Sequence, residues 1–269
     1  MLLDAASDTS RSAQSKAGLH YAPNGNFDSE STYLPAKAGF NLADVDSVQR
    51  VNALPIDVQA LVWVGMCNGV DAEFVAKVSP YLDHPKVFGF YLMDDPDPRE
   101  LRHGIRSSSY CSSENLRAES DWIHERMPKA KTFIALMNMA TAKAPSYENS
   151  YNSANSHVDL FGVAPYPCRS ELNGCDYDMI NRFVAAAEWW GIMRSQIVPI
   201  YQTFGEGKWV TDSGTSYKVP TAAQVQRMIA RWGELIANPA FDYAYSWGSQ
   251  NSDKALGQSS ELQAVFAWR

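Results

Sequence analysis

Short runs of β-branched and aromatic residues recur along the chain, and between them apolar positions fall at helical spacing. The strand-like runs cover residues 18–22, 38–42, 59–65, 87–93, 132–137, 158–164, 197–202 and 243–247. Several are almost continuous in apolar residues, as expected of strands buried on both faces. The best-defined helix lies between the last two runs. Thr221-Ala-Ala-Gln224 has the form of a capping box, in which the threonine hydroxyl and the glutamine side chain serve each other's backbone. Val225, Met228, Ile229, Trp232 and Ile236 then form one stripe, and Asn238-Pro239 ends it. Further helices are predicted over 177–190, stopped by Gly191, after Asp71 with Phe74, Val75 and Val78 on one face, and over 113–127 before Pro128. Residues 140–157 are rich in Ser, Asn and Tyr and are expected to be irregular, with at most a helical turn.

Eight strands alternating with helices over roughly 250 residues predict an α/β fold, a (β/α)8 TIM barrel in one domain. A doubly wound open sheet is the rival. It would place a glycine-rich phosphate turn after a strand, and no GxGxxG or GxxxxGK[ST] occurs. No repeat or internal linker divides the 269 residues. The barrel is therefore assigned to 17–269. Residues 1–16, polar after Leu3 and without an apolar core, read as a disordered lead-in rather than a signal peptide.

Charge narrows the partners. Lys and Arg number 23 against 30 Asp and Glu, a formal net charge of −7. Nucleic acid and anionic membranes call for a basic footprint that this chain lacks, and no apolar run is long enough to span a bilayer. The four cysteines, Cys67, Cys111, Cys168 and Cys175, fit no CxxC metal knuckle. Cys168 and Cys175 enclose a short turn-forming loop, and Cys67 and Cys111 each follow a strand-like run. Two bridges, Cys67–Cys111 and Cys168–Cys175, in a secreted protein are the preferred reading over four free cytosolic thiols. No cluster has metal-ligand spacing, so neither metal nor organic cofactor is expected, and the protein is expected to be a monomer.

In a barrel of this kind the chemistry stands at the C-terminal ends of the strands. Collected there are His20 after the first run, Trp63 after the third, Asp94-Asp95-Pro96-Asp97 after the fourth and Asn138 after the fifth. Tyr166 between two prolines follows the sixth, Gln202 with Glu206 beyond it the seventh, and Trp247 the eighth. Carboxyls, amides and aromatic rings around one cleft are what glycoside chemistry needs. The bond breaks through an oxocarbenium-like transition state helped by a proton-donating carboxyl and usually a second carboxylate.

The segment His84-Pro-Lys-Val-Phe-Gly-Phe-Tyr-Leu-Met-Asp-Asp-Pro-Asp97 resembles the fourth-strand region of clan A TIM-barrel glycoside hydrolases, which closes with Asn-Glu-Pro or Asp-Glu-Pro. Val158-Asp-Leu-Phe-Gly-Val-Ala-Pro-Tyr-Pro167 resembles their sixth strand and Tyr-Ser-Trp-Gly248 their eighth, where a tryptophan often floors the sugar site. The resemblance implies that Asp95 stands where the family has its acid/base glutamate, one methylene shorter. It also places Gln202 roughly where the family has its nucleophilic glutamate. The second carboxylate is then Glu206, or Asp94 acts with Asp95, or catalysis has been lost. Paired aspartates after the fourth strand also resemble chitinase-like barrels, although the DxxDxDxE spacing is absent.

The resulting expectation is a glycosidase acting on a polysaccharide or oligosaccharide. Asp95 is the proton donor, Asp94 its partner, and Glu206 a further candidate. His20, Trp63, Asn138, Tyr166, Gln202 and Trp247 are expected to line the sugar subsites. Each has a structural alternative: Trp63 and Trp247 as core, His20 as a satisfied buried histidine, Glu206 as a solvated loop charge, the aspartate pair as a turn cap. Strand alternation is expected to turn only one of Asp94 and Asp95 to the cleft. The rivals are a non-catalytic carbohydrate-binding barrel and a barrel phosphodiesterase using His20.

Overall fold

The computed structural model describes residues 17–102 and 104–267, so the expected lead-in at 1–16 lies outside the described residues. Eight parallel strands close into a barrel. They are β1 (His20–Tyr21), β2 (Leu42–Val45), β3 (Gln59–Trp63), β4 (Val87–Asp94), β5 (Lys131–Ala135), β6 (Leu160–Val163), β7 (Ile197–Gln202) and β8 (Asp242–Tyr245). Each pairs with its neighbours in chain order, and β8 closes on β1 through His20 opposite Asp242 and Tyr21 opposite Tyr243. The helices are α1 (Val48–Ala53), α2 (Ala72–Val78), α3 (Ser113–Arg126), α4 (Ser153–Ser156), α5 (Asp178–Trp189), α6 (Ala222–Leu235) and α7 (Ser260–Phe266).

The capping box read at Thr221 forms, and α2 and α3 are also capped in the structure. Asp71 accepts from the Phe74 amide at the start of α2, Ser112 from Asn115 at α3, and Thr221 and Gln224 bond reciprocally at α6. The segment 140–157 carries the single short helix α4, capped by Asn152. The second strand is displaced from the expected 38–42. Pro35 opens a 3-10 turn over Leu34–Ala38 and Gly39, at φ 86°, ends it in a left-handed conformation that suits glycine. Pairing therefore begins at Leu42, and Ala38 and Phe40 enter the outer core instead.

Alternation along the strands sorts side chains into two cores. Tyr21, Leu42, Leu61, Tyr91, Phe133, Leu160, Ile200, Phe241 and Tyr243 fill the barrel, while Ala43, Val62, Phe90, Ile134 and Phe161 face the helices. The interior is an aromatic plug. Tyr21 meets Tyr243 edge-on at 4.8 Å, and Phe133 meets Phe241 at 5.0 Å. Such edge-to-face pairs add to the large area that each ring buries. Gly162 on β6 makes room for the plug: a Cβ there would lie 2.8 Å from Ile200 and 2.9 Å from Phe133. Above this plug the strands end in loops at their C-terminal side.

Candidate active site

A cavity of about 380 Å³ opens at that end, over the side of the barrel formed by β4 to β8. Asp94 and Asp95 stand on one wall; Tyr166, Phe204, Trp209, Tyr217, Tyr243 and Tyr245 supply the aromatic part of the lining.

Both aspartates border the cavity, against the expectation that alternation would turn one away. Two backbone irregularities bring this about. The β4–β5 register slips by one residue between Tyr91 and Met93, a bulge that puts Tyr91 and Asp94 on the same face. The Tyr91 hydroxyl consequently donates to Asp94 Oδ1 at 2.6 Å. Asp95 then adopts φ 44°, uncommon outside glycine, and its side chain joins that of Asp94 at the cavity.

The two acids are not equivalent. Enclosure by protein raises the pKa of both, because ionised carboxylate loses hydration there. The Tyr91 hydrogen bond opposes the rise at Asp94. For Asp95 the charge of Asp94 adds to the desolvation and pushes it up to about 8, with no hydrogen-bond partner among the described residues to hold its anion. Both side chains keep contact with solvent through the mouth of the cavity. One proton on Asp95 and a negative charge on Asp94 is the arrangement that these surroundings favour near neutral pH.

The opposite wall is pinned. The Cys168–Cys175 disulfide closes its loop, with Cα atoms 4.2 Å apart, as the sequence suggested. Next to it Arg169 ion-pairs with Asp212 and donates from Nε to the Tyr166 carbonyl at 3.1 Å. Asp212 Oδ2 also accepts from the Ala142 amide at 2.9 Å, drawing the loop after β5 into the same wall. The second expected bridge, Cys67–Cys111, ties the loop after β3 to the segment before α3.

Tyr166 and Asn138 border the cavity as expected. The Asn138 side chain is largely occupied by its own loop, accepting from the Ala140 and Ser146 amides. Other expected ligands lie elsewhere. Gln202 is fully buried: its Oε1 accepts from the Cys168 amide and its Nε2 contacts the carbonyls of Cys168, Phe204 and Lys218. It is a staple holding the disulfide loop and does not border the cavity. Glu206 is on the exterior, paired with Lys254 at 2.8 Å. His20 is buried with its Nδ1 2.7 Å from Asp242, which also accepts from Tyr201, on the helix-facing side of the sheet. Trp63 packs edge-on to Tyr91 at 4.8 Å, at the edge of the interior plug.

Trp247 is 3% exposed and packs against Phe40 in the outer core. It shares the parity of Tyr243 and Tyr245, but pairing stops at Tyr245, so the alternation no longer applies to it. Tyr243 and Tyr245 take the cavity positions expected of Trp247. The period-2 signal was there in Asp242-Tyr-Ala-Tyr245. Arg169, Asp212, Trp209 and Tyr217 come from irregular loops, for which no periodicity exists to place them. Among the described residues no group of His, Cys, Asp and Glu is arranged to hold a metal ion, and no helix is long and apolar enough to cross a membrane.

No protein-family model and no curated protein matches the chain. Solved structures do match in fold. The C-terminal domain of a putative chitinase from Desulfitobacterium hafniense superposes with a TM-score of 0.57 at 10% identity, covering 95% of this chain and 99% of that one. The chitinase-like agglutinin of Robinia pseudoacacia gives 0.51 at 13%, over 93% and 99%. A chitinase from Rhizomucor miehei gives 0.51 at 11%, over 82% and 86%. The chain thus has the (β/α)8 barrel of these proteins, and the resemblance to glycoside hydrolase barrels read in its strands has a counterpart in its fold.

Proposed function

We propose that the protein is a glycosidase cleaving a polysaccharide or oligosaccharide in this cavity. The observation that carries the reading is the Asp94–Asp95 pair: two adjacent carboxyls at one tyrosine-lined cavity, one accepting a hydrogen bond from Tyr91 and the other with no hydrogen-bond partner among the described residues. Asp95, protonated, gives its proton to the glycosidic oxygen as the bond to C1 breaks. Asp94, ionised, faces the positive charge that builds on the sugar ring. Water supplies hydroxide to C1, and its remaining proton passes to the carboxylate pair. Tyr166 and Tyr245 offer ring faces to the sugar, and their hydroxyls, together with that of Tyr243, suit its own. The fold shared with chitinases supports a carbohydrate substrate, and the two disulfides support a secreted protein.

The test is release of reducing ends from a panel of polysaccharides by the purified protein. Release that is lost in Asp95→Asn supports the reading. Binding without release, at high protein and long incubation, favours the second one, a lectin-like barrel. That alternative has its own observation, since Gln202 occupies the seventh-strand end with an amide committed to the backbone, and the agglutinin shares the fold. A phosphodiesterase using His20 is disfavoured by the burial of that side chain against Asp242.

A further inference from the structure

The balance of charge and hydrogen-bonding capacity around the cavity narrows the substrate beyond "a sugar". Its bordering side chains include three acids, Asp94, Asp95 and Asp212, of which Asp95 holds its proton, and one cation, Arg169. Arg169 is already committed to Asp212 and to the Tyr166 carbonyl. Basic groups nearby are committed as well: Arg99 to Asp97, Arg182 to Asp176 and Lys254 to Glu206. Lys143 and Lys208, beside cavity residues in sequence, are exposed and do not border the cavity. The site therefore carries net negative charge with no uncommitted cation among the described residues that border it.

The aromatic wall points the same way. Tyr166 and Tyr245 lie at 5.9 Å with ring planes 30° apart, and Tyr217 stands edge-on to Tyr166. Ring faces next to carboxylates suit an ammonium group, which is drawn by charge and by the π-quadrupole together. A uronate or sulfate ester would meet repulsion and find no guanidinium free to receive it.

We propose that the glycan bound here carries free amino groups, a 2-amino-2-deoxy sugar whose ammonium faces Asp94 and the tyrosine wall. This rests on the sugar-binding reading of the same cavity and specifies its substrate class. Neutral sugars of the same shape lack the ionic contact, and acidic ones are excluded. N-acetylation removes the charge, so acetylated and free amines are distinguished by the site.

The experiment compares glucosamine, glucose, N-acetylglucosamine and glucuronate, both as monosaccharides and, for the first three, as β-1,4-linked pentamers that differ only at C2. Binding is followed at pH 5.5 by calorimetry and ligand-observed NMR. The amine is expected to bind at least tenfold more tightly than its glucose counterpart, with glucuronate not detected. Raising salt to 0.5 M is expected to remove most of that preference. Asp212→Asn, checked for folding by circular dichroism, removes one negative charge and releases Arg169; it is expected to cut the preference several-fold and admit glucuronate. Equal binding of amine and glucose, tighter binding of N-acetylglucosamine or glucuronate, or no preference in either series overturns the inference. Release of reducing ends from a neutral polysaccharide alongside such a result would leave the glycosidase reading standing. Loss of both binding and release with every sugar would remove the two together.

Discussion

Two strand ends, β4 and β7, carry polar side chains at comparable positions and treat them in opposite ways. At β7, Gln202 is fully buried and its amide is used up on backbone groups of Cys168, Phe204 and Lys218. At β4, Asp94 has one hydroxyl partner and Asp95 none among the described residues, and both face solvent in a cavity. A buried amide with all its bonds made contributes to a wall and has nothing left for a ligand. A carboxyl with its bonds unmade costs stability and is retained where chemistry needs it. The contrast separates scaffold from site better than residue type does.

Replacing the unpartnered acid tests the contrast most strongly. Asp95→Asn is expected to lower turnover by about 10²–10⁴-fold with sugar affinity changed only a few-fold, since an amide does not donate an acidic proton. The defect should be smaller on nitrophenyl glycosides, whose leaving groups depart without protonation. In the wild type the acid must be protonated, and the pKa of Asp95 is raised to about 8. Activity is therefore expected to persist through neutrality and to fall as pH rises through about 8. Near-normal turnover by Asp95→Asn on the natural substrate would dissolve the distinction between the two strand ends.

The converse change belongs to β7. Gln202→Glu would introduce the residue type that clan A barrels carry, yet here it would set a carboxylate against three carbonyl oxygens. Leaving a buried charge uncompensated costs about 3–5 kcal/mol, so chemical denaturation should show a loss of that order with no gain in activity. A stable, more active Gln202→Glu would mean that the amide position belongs to the catalytic site.

Much of the barrel was legible in the sequence because it rests on periodicity. The strand and helix alternation, the capping box at Thr221 and the short Cys168–Cys175 loop follow from local pattern, and the Cys67–Cys111 pairing from the strand ends that both cysteines follow. The site was legible at Asp94, Asp95 and Tyr166, which stand at strand ends. It was not legible where pattern breaks. The bulge in β4 and the positive φ of Asp95 reverse the expected facing, and Pro35 with Gly39 moves β2. Trp247 matched its strand's parity but lies beyond the last paired residue. Side chains such as Arg169 and Asp212 meet only through long-range closure of loops, which no local window reports.

Those two aromatic positions give the third test. Trp247→Ala opens the outer core beside Phe40 and is expected to cost about 3–5 kcal/mol of stability while the folded fraction keeps its sugar affinity. Tyr245→Ala is expected to do the reverse, weakening sugar binding by roughly 1–3 kcal/mol with the melting temperature little changed. Exchange of the two phenotypes would return Trp247 to the sugar site.

The last test concerns a carboxyl buried away from the cavity. Glu119 on α3 is fully buried, accepts from the Gly69 amide at 3.0 Å and has its pKa raised to about 8 by desolvation, with Asp71 adding to the rise. In the unfolded chain a glutamate ionises near 4.3. Between about pH 4 and 8 the unfolded state has released this proton while the folded state holds it, so each step upward in pH favours unfolding. Below that window the penalty is absent, and above about 8 it is complete. Glu119→Gln keeps an acceptor for Gly69 but does not ionise. Relative to wild type its melting temperature is expected to rise between pH 4.5 and pH 9, because a proton held up to about pH 8 rather than near 4.3 weighs on stability by roughly 5 kcal/mol at most. Because the comparison is between two pH values within each protein, any fixed cost of the amide cancels. A difference that stays flat with pH would show that Glu119 is ionised in the folded state, its charge held by the amides after β3. In that case burial of a carboxyl in this barrel would not by itself mark a group kept protonated.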